Sequence, residues 1–268
     1  SQINMLVDTI LASLLPTGSP SWLYVSDRLM QLPLGIFAIA IGTVILPRLS
    51  SLFITKDKSA FSNTLDWSMR LIFLISIPAV IGLVMLAEPI ILTLFERGAF
   101  NSYDSLQASY SLIALASGLV AFMLIKILTP SFFARQEPKI PMYVALISMV
   151  LNAILAWLLG FNLGYGHIGL ALASSISAFF TAITLLFLLK REKIYESTEG
   201  WIIFWIRLSV ASIILILFLG YFSEEVSDLR RLTNFERTVY ILKMVILGIG
   251  LYLLALRLTG LKIKDFIN

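Results

Sequence analysis

The sequence predicts an all-α, polytopic integral membrane helix bundle of about seven full transmembrane helices plus one truncated helix, and three observations carry that prediction. Hydrophobic residues make up 59% of the 268 positions and charged residues 13%, with a mean hydropathy of +0.93, whereas soluble domains carry about 25% charge. The apolar residues fall in blocks of about 20, the length that crosses a bilayer as a helix. Those blocks lack the period-two alternation of barrel strands, and backbone groups in hydrocarbon must be satisfied within their own segment, so helices are the expected solution. A water-soluble globular enzyme is excluded. With no cysteine and one histidine, His167, thiolate chemistry and histidine metal clusters are excluded too. The 20 Lys and Arg are scattered through loops without interleaved aromatics, so no nucleic-acid partner is expected.

The first apolar block, Ile3 to Leu15, is about half a span, and the chain opens at Ser1 without a methionine or a signal-peptide pattern. It reads as a helix cut inside a longer protein. After the breaker run from Pro16 to Ser21, apolar blocks follow at Trp22–Leu46, Trp67–Ala87, Leu106–Leu128, Pro141–Leu159, Ile168–Leu189, Trp201–Phe222 and Thr238–Leu258. Lys and Arg stay preferentially on the cytoplasmic side. Arg48, Lys56 and Lys58, then Lys126, Arg135 and Lys139, then Lys190, Arg191 and Lys193 mark alternate loops as cytoplasmic. Residues 16–21, 88–104 and 160–167 then face outward, and 223–237 does so by parity. The charged stretch 190–200 divides the chain into a six-helix unit, 1–189, and a two-helix hairpin with a cytoplasmic tail, 201–268.

Ionisable residues at membrane depth are functional candidates by default. Asp27 and Arg28 lie inside the second span, and neighbours on a helix point about 100° apart, so they cannot neutralise each other on one face. Two readings stand side by side: Arg28 snorkels to outer headgroups with Asp27 assisting, or it faces a polar cavity and grips an anionic substrate. Asp8 and Asn152 read either as interhelical hydrogen-bonding groups or as a proton or sodium site. Lys126 and Arg207 are expected to snorkel to the cytoplasmic face and Lys243 to the outer one. The i,i+4 pair Asp66 and Arg70 is expected to stabilise its helix only. No catalytic triad, phosphate-binding glycine loop or zinc-helix motif is present.

Ordered motifs add a family resemblance. Gln2-Ile-Asn4 with Asp8, Gly18-Ser19, Trp22-Leu-Tyr24, Asp27-Arg28-Leu29, Leu32-Pro-Leu-Gly35 and Ile45-Leu-Pro47-Arg-Leu-Ser50 resemble the MurJ (MviN) lipid II flippases of the multidrug/oligosaccharidyl-lipid/polysaccharide exporter superfamily. Thr64-Leu-Asp66-Trp67, Ala87-Glu-Pro89, Leu94-Phe-Glu-Arg-Gly98-Ala-Phe100 and Ala134-Arg-Gln-Glu-Pro-Lys-Ile-Pro141 continue it to about residue 190.

The resemblance implies a bacterial inner (cytoplasmic) membrane protein with two six-helix lobes around a central cavity and two terminal helices. This chain then corresponds to the second lobe and the terminal pair, with the amino-terminal lobe as its partner. The implied activity is movement of the undecaprenyl-pyrophosphate-linked peptidoglycan precursor, lipid II, from the inner to the outer leaflet by alternating access. It is driven by membrane potential or an Na+ or H+ gradient, without nucleotide, bound cofactor or catalysis.

The resemblance also implies site roles. Arg28, with Asp27, occupies the position of the family's essential cavity arginine in this lobe, and Ser26 stands where alanine is common. Asp8 and Asn152 match two residues of a sodium site, but Ala156 stands where an acid is expected. The terminal pair is expected to line a polyprenyl groove around Trp201, Trp205, Leu217 and Ile246, although lipid-facing residues share that pattern. The competing expectations are a polysaccharide-unit or drug exporter of the same superfamily, a non-transporting scaffold for cell-wall synthesis proteins, and a membrane enzyme acting on polyprenyl phosphates.

Overall fold

The computed structural model describes residues 9–223 and 226–261. Residues 9–13 are helical, and a turn ending at Gly18, whose φ of 105° is left-handed, starts helix α1, Ser19–Pro33. Pro20 sits at the second helical position, where a missing N–H costs nothing. Pro33 removes an N–H from the ladder, and the next five residues, Leu34–Ala38, form a π-helical turn before α2, Ile39–Ile54. The rod Ser19–Ile54 is therefore one interrupted span.

Asp57 caps α3, Lys58–Met85, by accepting from the backbone N–H of Ala60 at 2.9 Å. A short helix α4, Ala87–Phe95, follows in the stretch expected to be an outer loop. At nine residues it is too short to span, and its Ala87 and Ile91 bury against Trp22, Leu29 and Leu112 instead. Asn101 and Asp104 form a capping box for α5, Ser102–Ser117. At Gly118 the chain bends by 41° into α6, Leu119–Ala134, so the expected single span is a bent pair. A Cβ at Gly118 would lie 2.7 Å from the Cα of Ser175, so only glycine admits this approach.

Helix α7, Lys139–Trp157, ends in a second π-helical turn, Leu158–Asn162, ahead of α8, Gly166–Arg191. The last pair is α9, Trp201–Phe222, and α11, Asn234–Leu258, with the single turn α10, Val226–Leu229, between them. Among the described residues six helices are long and apolar enough to cross a membrane, and the bent α5–α6 pair makes seven, as the sequence predicts.

Two main apolar clusters organise the bundle. One joins Met30, Ile45, Leu65, Ile72, Ile127, Phe132 and Leu185 from α1, α2, α3, α6 and α8. The other joins Phe204, Leu208, Leu215, Met244 and Tyr252 of α9 and α11, with Phe73 of α3 packed on both. Lipid tails are as apolar as leucine, so helices associate in membranes through close packing and interhelical hydrogen bonds. The buried serines act in this way: Ser175 of α8 donates to the Ala114 carbonyl of α5 at 2.7 Å, and Ser148 of α7 donates to the Ser177 carbonyl of α8 at 3.0 Å. Large apolar side chains such as Ile202, Ile246 and Leu258 stay on the outside, as a lipid-facing surface requires.

Candidate functional site: an arginine on an open helix face and a buried carboxylate node

Helix α1 is two-faced. Trp22, Val25, Ser26, Leu29 and Met30 are buried, and the Ser26 hydroxyl donates to the Ala108 carbonyl of α5 at 2.7 Å. A small residue at position 26 is needed for that approach, and serine adds a hydrogen bond to it. Tyr24, Arg28, Gln31, Leu32 and Gly35 recur on the other face and are exposed.

On that face the Arg28 guanidinium lies 4.9 Å from the Tyr24 ring centroid, one turn back, in cation–π geometry. Asp27 does not pair with it; instead its carboxylate accepts from the Gln31 amide one turn on. Among the described residues no carboxylate forms an ion pair with Arg28. Arg28 lies about 13 Å along the helix from Ser19, at 1.5 Å per residue. Among the described residues the guanidinium N–H groups have no hydrogen-bond partner, and the face that carries them is exposed.

The remaining sequence candidates are dispersed. Asp8 lies outside the described residues. Asn152 is buried on α7 and its side-chain oxygen accepts from Ser174 of α8 at 3.4 Å. One turn on, the Ala156 methyl is fully buried against Ala12, Leu170 and Ala173, so an apolar contact occupies the place where an acid was expected. No group of three or more His, Cys, Asp or Glu is arranged to hold a metal ion among the described residues. Trp205 packs on Phe73 with ring centroids 4.8 Å apart, while Leu217 and Ile246 lie on the open outer faces of the hairpin, 66% and 65% exposed. Lys126 and Lys243 are exposed, as snorkelling side chains would be.

Trp201 belongs to an arrangement that the sequence reading missed. Asp66 is 2% exposed, and its two oxygens accept from Arg70 Nε at 2.9 Å, the Tyr195 hydroxyl at 2.7 Å, the Trp201 indole at 2.8 Å and the Thr198 hydroxyl at 2.5 Å. Arg70 Nη2 donates onward to the Thr198 hydroxyl at 2.7 Å and the Glu199 carbonyl at 2.8 Å, and its guanidinium lies 4.9 Å from the Trp201 ring. Burial, with the bond to Asp66, pushes the Tyr195 hydroxyl far above the usual tyrosine range and keeps it a neutral donor. The i,i+4 pair is thus the seat of a node tying the 192–200 segment and the start of α9 to α3. Nothing in local spacing announces partners about 130 residues away; the cluster Tyr195, Thr198 and Trp201 after a charged stretch was the available signal.

A second set of polar contacts ties the opposite, outer end. The Trp22 indole donates to Asp104 at 2.9 Å, and His167 Nε2 donates to the Gln107 carbonyl oxygen at 3.0 Å, leaving Nδ1 to accept from the Ser111 hydroxyl at 2.7 Å. Arg230, in the turn after α10, reaches Glu88 at 3.3 Å and Glu96 at 3.4 Å.

A serine-knit bundle of membrane-length helices, with an interrupted helix carrying an arginine on its open side, defines the class: a helical bundle of a polytopic membrane protein. The same fold occurs in the outward-facing structure of a multidrug resistance MATE family transporter of the MOP superfamily, with a TM-score of 0.65 over 95% of this chain and 60% of that one, at 15% identity. The family described as "Lipid II flippase MurJ" matches residues 1–251, and the chain belongs to that family. It is a multi-pass protein of the bacterial inner membrane. It is 42% identical to the probable lipid II flippase MurJ of Vibrio cholerae serotype O1, over 99% of this chain and 50% of that protein. The corresponding Haemophilus influenzae protein is 41% identical over 98% of this chain and 52% of its own length. A solved lipid II flippase MurJ in an inward closed conformation superposes with a TM-score of 0.81 at 30% identity, over 100% of this chain and 52% of that one. The chain therefore spans about half the length of the relatives it matches.

Proposed function

We propose that the chain is the carboxy-terminal half of a lipid II flippase and that Arg28 binds the pyrophosphate of the undecaprenyl-linked precursor as it crosses the membrane. The observation that carries the reading is the open face of α1, where a guanidinium without a carboxylate partner rests on Tyr24. Moving two phosphate charges through hydrocarbon is prohibitive, and a guanidinium in a water-filled cavity offers them charge-assisted hydrogen bonds. Tyr24 fixes the guanidinium plane, and the Asp27–Gln31 bond keeps the neighbouring carboxylate from competing for it. Family membership supplies the substrate class, and transport without catalysis is the matching chemistry.

In this reading residues 1–189 form the lobe, 190–200 the linker and 201–268 the hairpin, and the amino-terminal lobe supplies the other wall of the cavity. The outer faces of the hairpin, with Trp205, Leu217 and Ile246, are the surface offered to the polyprenyl tail, while Trp201 anchors the hairpin. For ion coupling, Asn152 and Asp8 are the residues to replace; Ala156 contributes no oxygen, which favours a proton or the membrane potential over sodium as the driving force.

The test is replacement of Arg28 by Ala and by Lys in the intact protein, read as appearance of lipid II in the outer leaflet of cells depleted of their own flippase. Ala should lower translocation at least about 100-fold, and Lys should rescue poorly because it cannot reproduce a bidentate fork. Normal translocation by both variants would refute the assignment and favour a scaffold role.

A further inference from the structure

At the end of the bundle that the basic loops assign to the cytoplasm, a cavity of about 420 Å³ opens between α3, the 192–200 segment and the start of α9. Asn63, Trp67, Arg70, Thr198, Phe204 and Arg207 are among its walls. We propose that this cavity binds the phosphate group of an anionic phospholipid of the inner leaflet. The proposal goes beyond the flippase reading and does not use Arg28, although Trp201 and Trp205 of the hairpin take part in both.

The charge balance comes first. Asp66 also borders the cavity, but its two oxygens are engaged by four side chains, and Arg70 spends Nε and Nη2 on Asp66, Thr198 and Glu199. Asp66 and Arg70 therefore balance each other. Arg207 makes no ion pair or hydrogen bond among the described residues, so it leaves the cavity one guanidinium in excess. The first turn of α9 adds to the same field. Gly200 precedes it with a φ of 87°, no side chain caps it, and both Gly200 and Ile203 line the cavity. The positive end of a 22-residue helix thus faces the space that Arg207 borders.

The second argument separates a lipid from a free anion. Thr198, Gly200 and Ile203 also line a neighbouring cavity of about 780 Å³, whose other walls are mostly apolar, Phe73, Leu124, Leu128, Leu186 and Trp205 among them, with one cation, Lys190, and one carboxylate, Glu199, offsetting each other at its border. A basic recess joined to an apolar slot, with Trp67, Trp201 and Trp205 at interface depth, matches a molecule with an anionic head and an acyl chain. Inorganic phosphate would use the first cavity and leave the second empty.

The experiment is equilibrium binding of dioctanoyl phosphatidylglycerol to the detergent-solubilised intact protein by native mass spectrometry, with dioctanoyl phosphatidylcholine and inorganic phosphate as comparison probes. The expected result is one tight phosphatidylglycerol site, weakened about tenfold or more by Arg207→Gln and less than threefold by Arg207→Lys, with phosphatidylcholine weak and phosphate a poor competitor. Arg28→Ala should leave this site unchanged, so failure here and failure of the flippase reading are distinguishable. Unfolding temperatures measured without lipid show whether Arg207→Gln still folds, and Arg207→Lys together with the salt dependence of binding tests the charge if it does not. Unchanged affinity in a folded Arg207→Gln, equal binding of phosphatidylcholine, or competition by phosphate at the lipid's own concentration would each overturn the proposal.

Discussion

At the inner end of α3 a carboxylate accepts hydrogen bonds from four side chains, whereas on α1 a guanidinium rests on one tyrosine ring and makes no ion pair among the described residues. Both side chains sit on apolar helices, and the sequence marks each as one charge beside another. The difference lies in satisfaction. A buried ion whose every lone pair is used is holding structure together, because losing any partner exposes the remainder to the cost of burial without compensation. An ion with free donors on an uncovered face contributes little to its own fold and is open to a partner outside it. Hydrogen-bond accounting thus marks Asp66 as structural and leaves Arg28 available for binding.

The sharpest way to break the contrast is at the satisfied end. Asp66→Ala leaves Arg70, Tyr195 and Trp201 without their common acceptor, and removing one partner of a buried pair typically costs about 3 kcal/mol or more. The variant should unfold at a clearly lower temperature in detergent, and trypsin should cut at Lys193 far faster than in the parent, because the 192–200 segment loses its tether. Asp66→Asn keeps one acceptor oxygen and should fall between the two. If Asp66→Ala unfolds where the parent does and resists trypsin, the node is decoration and the distinction drawn from it fails.

A smaller effect tests the close approach at the bend between α5 and α6. Gly118→Ala would set a methyl carbon 2.7 Å from the Cα of Ser175, and backbone cannot yield as a flexible side chain can. Overpacking of this kind costs about 1 to 3 kcal/mol, so the unfolding temperature should drop by less than in Asp66→Ala. The same strain should weaken the Ser175 bond to Ala114, which slower hydrogen exchange in the parent at the end of α5 would reveal.

How much of this was legible follows the range of the forces involved. Span number and the two-faced character of α1 are local: length, hydropathy and a period near 3.6 fix them, and α1 buries Trp22, Val25 and Leu29 as that period requires. That Gly118 can kink a span or admit a close neighbour was legible from the sequence, but the 41° angle of the bend was not, and helix α4 is too short to register as a span. The Asp66 node depends on Tyr195, Thr198 and Trp201, whose approach is set by how the hairpin docks. Arg28 was legible as a candidate, but its surroundings, with Tyr24 under the guanidinium and the Asp27 carboxylate bonded to Gln31, were not.

The smallest expected stability change belongs to the residue expected to matter most for transport. Arg28→Ala removes a cation–π contact of about 0.5 to 1 kcal/mol at an exposed site, and it leaves no buried partner unpaired. Its unfolding temperature should stay within about a degree or two of the parent, and its tryptic pattern should not change. That near-zero effect sharpens the comparison, since a transport defect in a protein of unchanged stability has to arise from lost binding. A marked drop in stability would instead mean that a group of the intact protein already pairs with Arg28 at rest. Arg28 would then resemble Asp66, and substrate would have to displace that partner before it could bind.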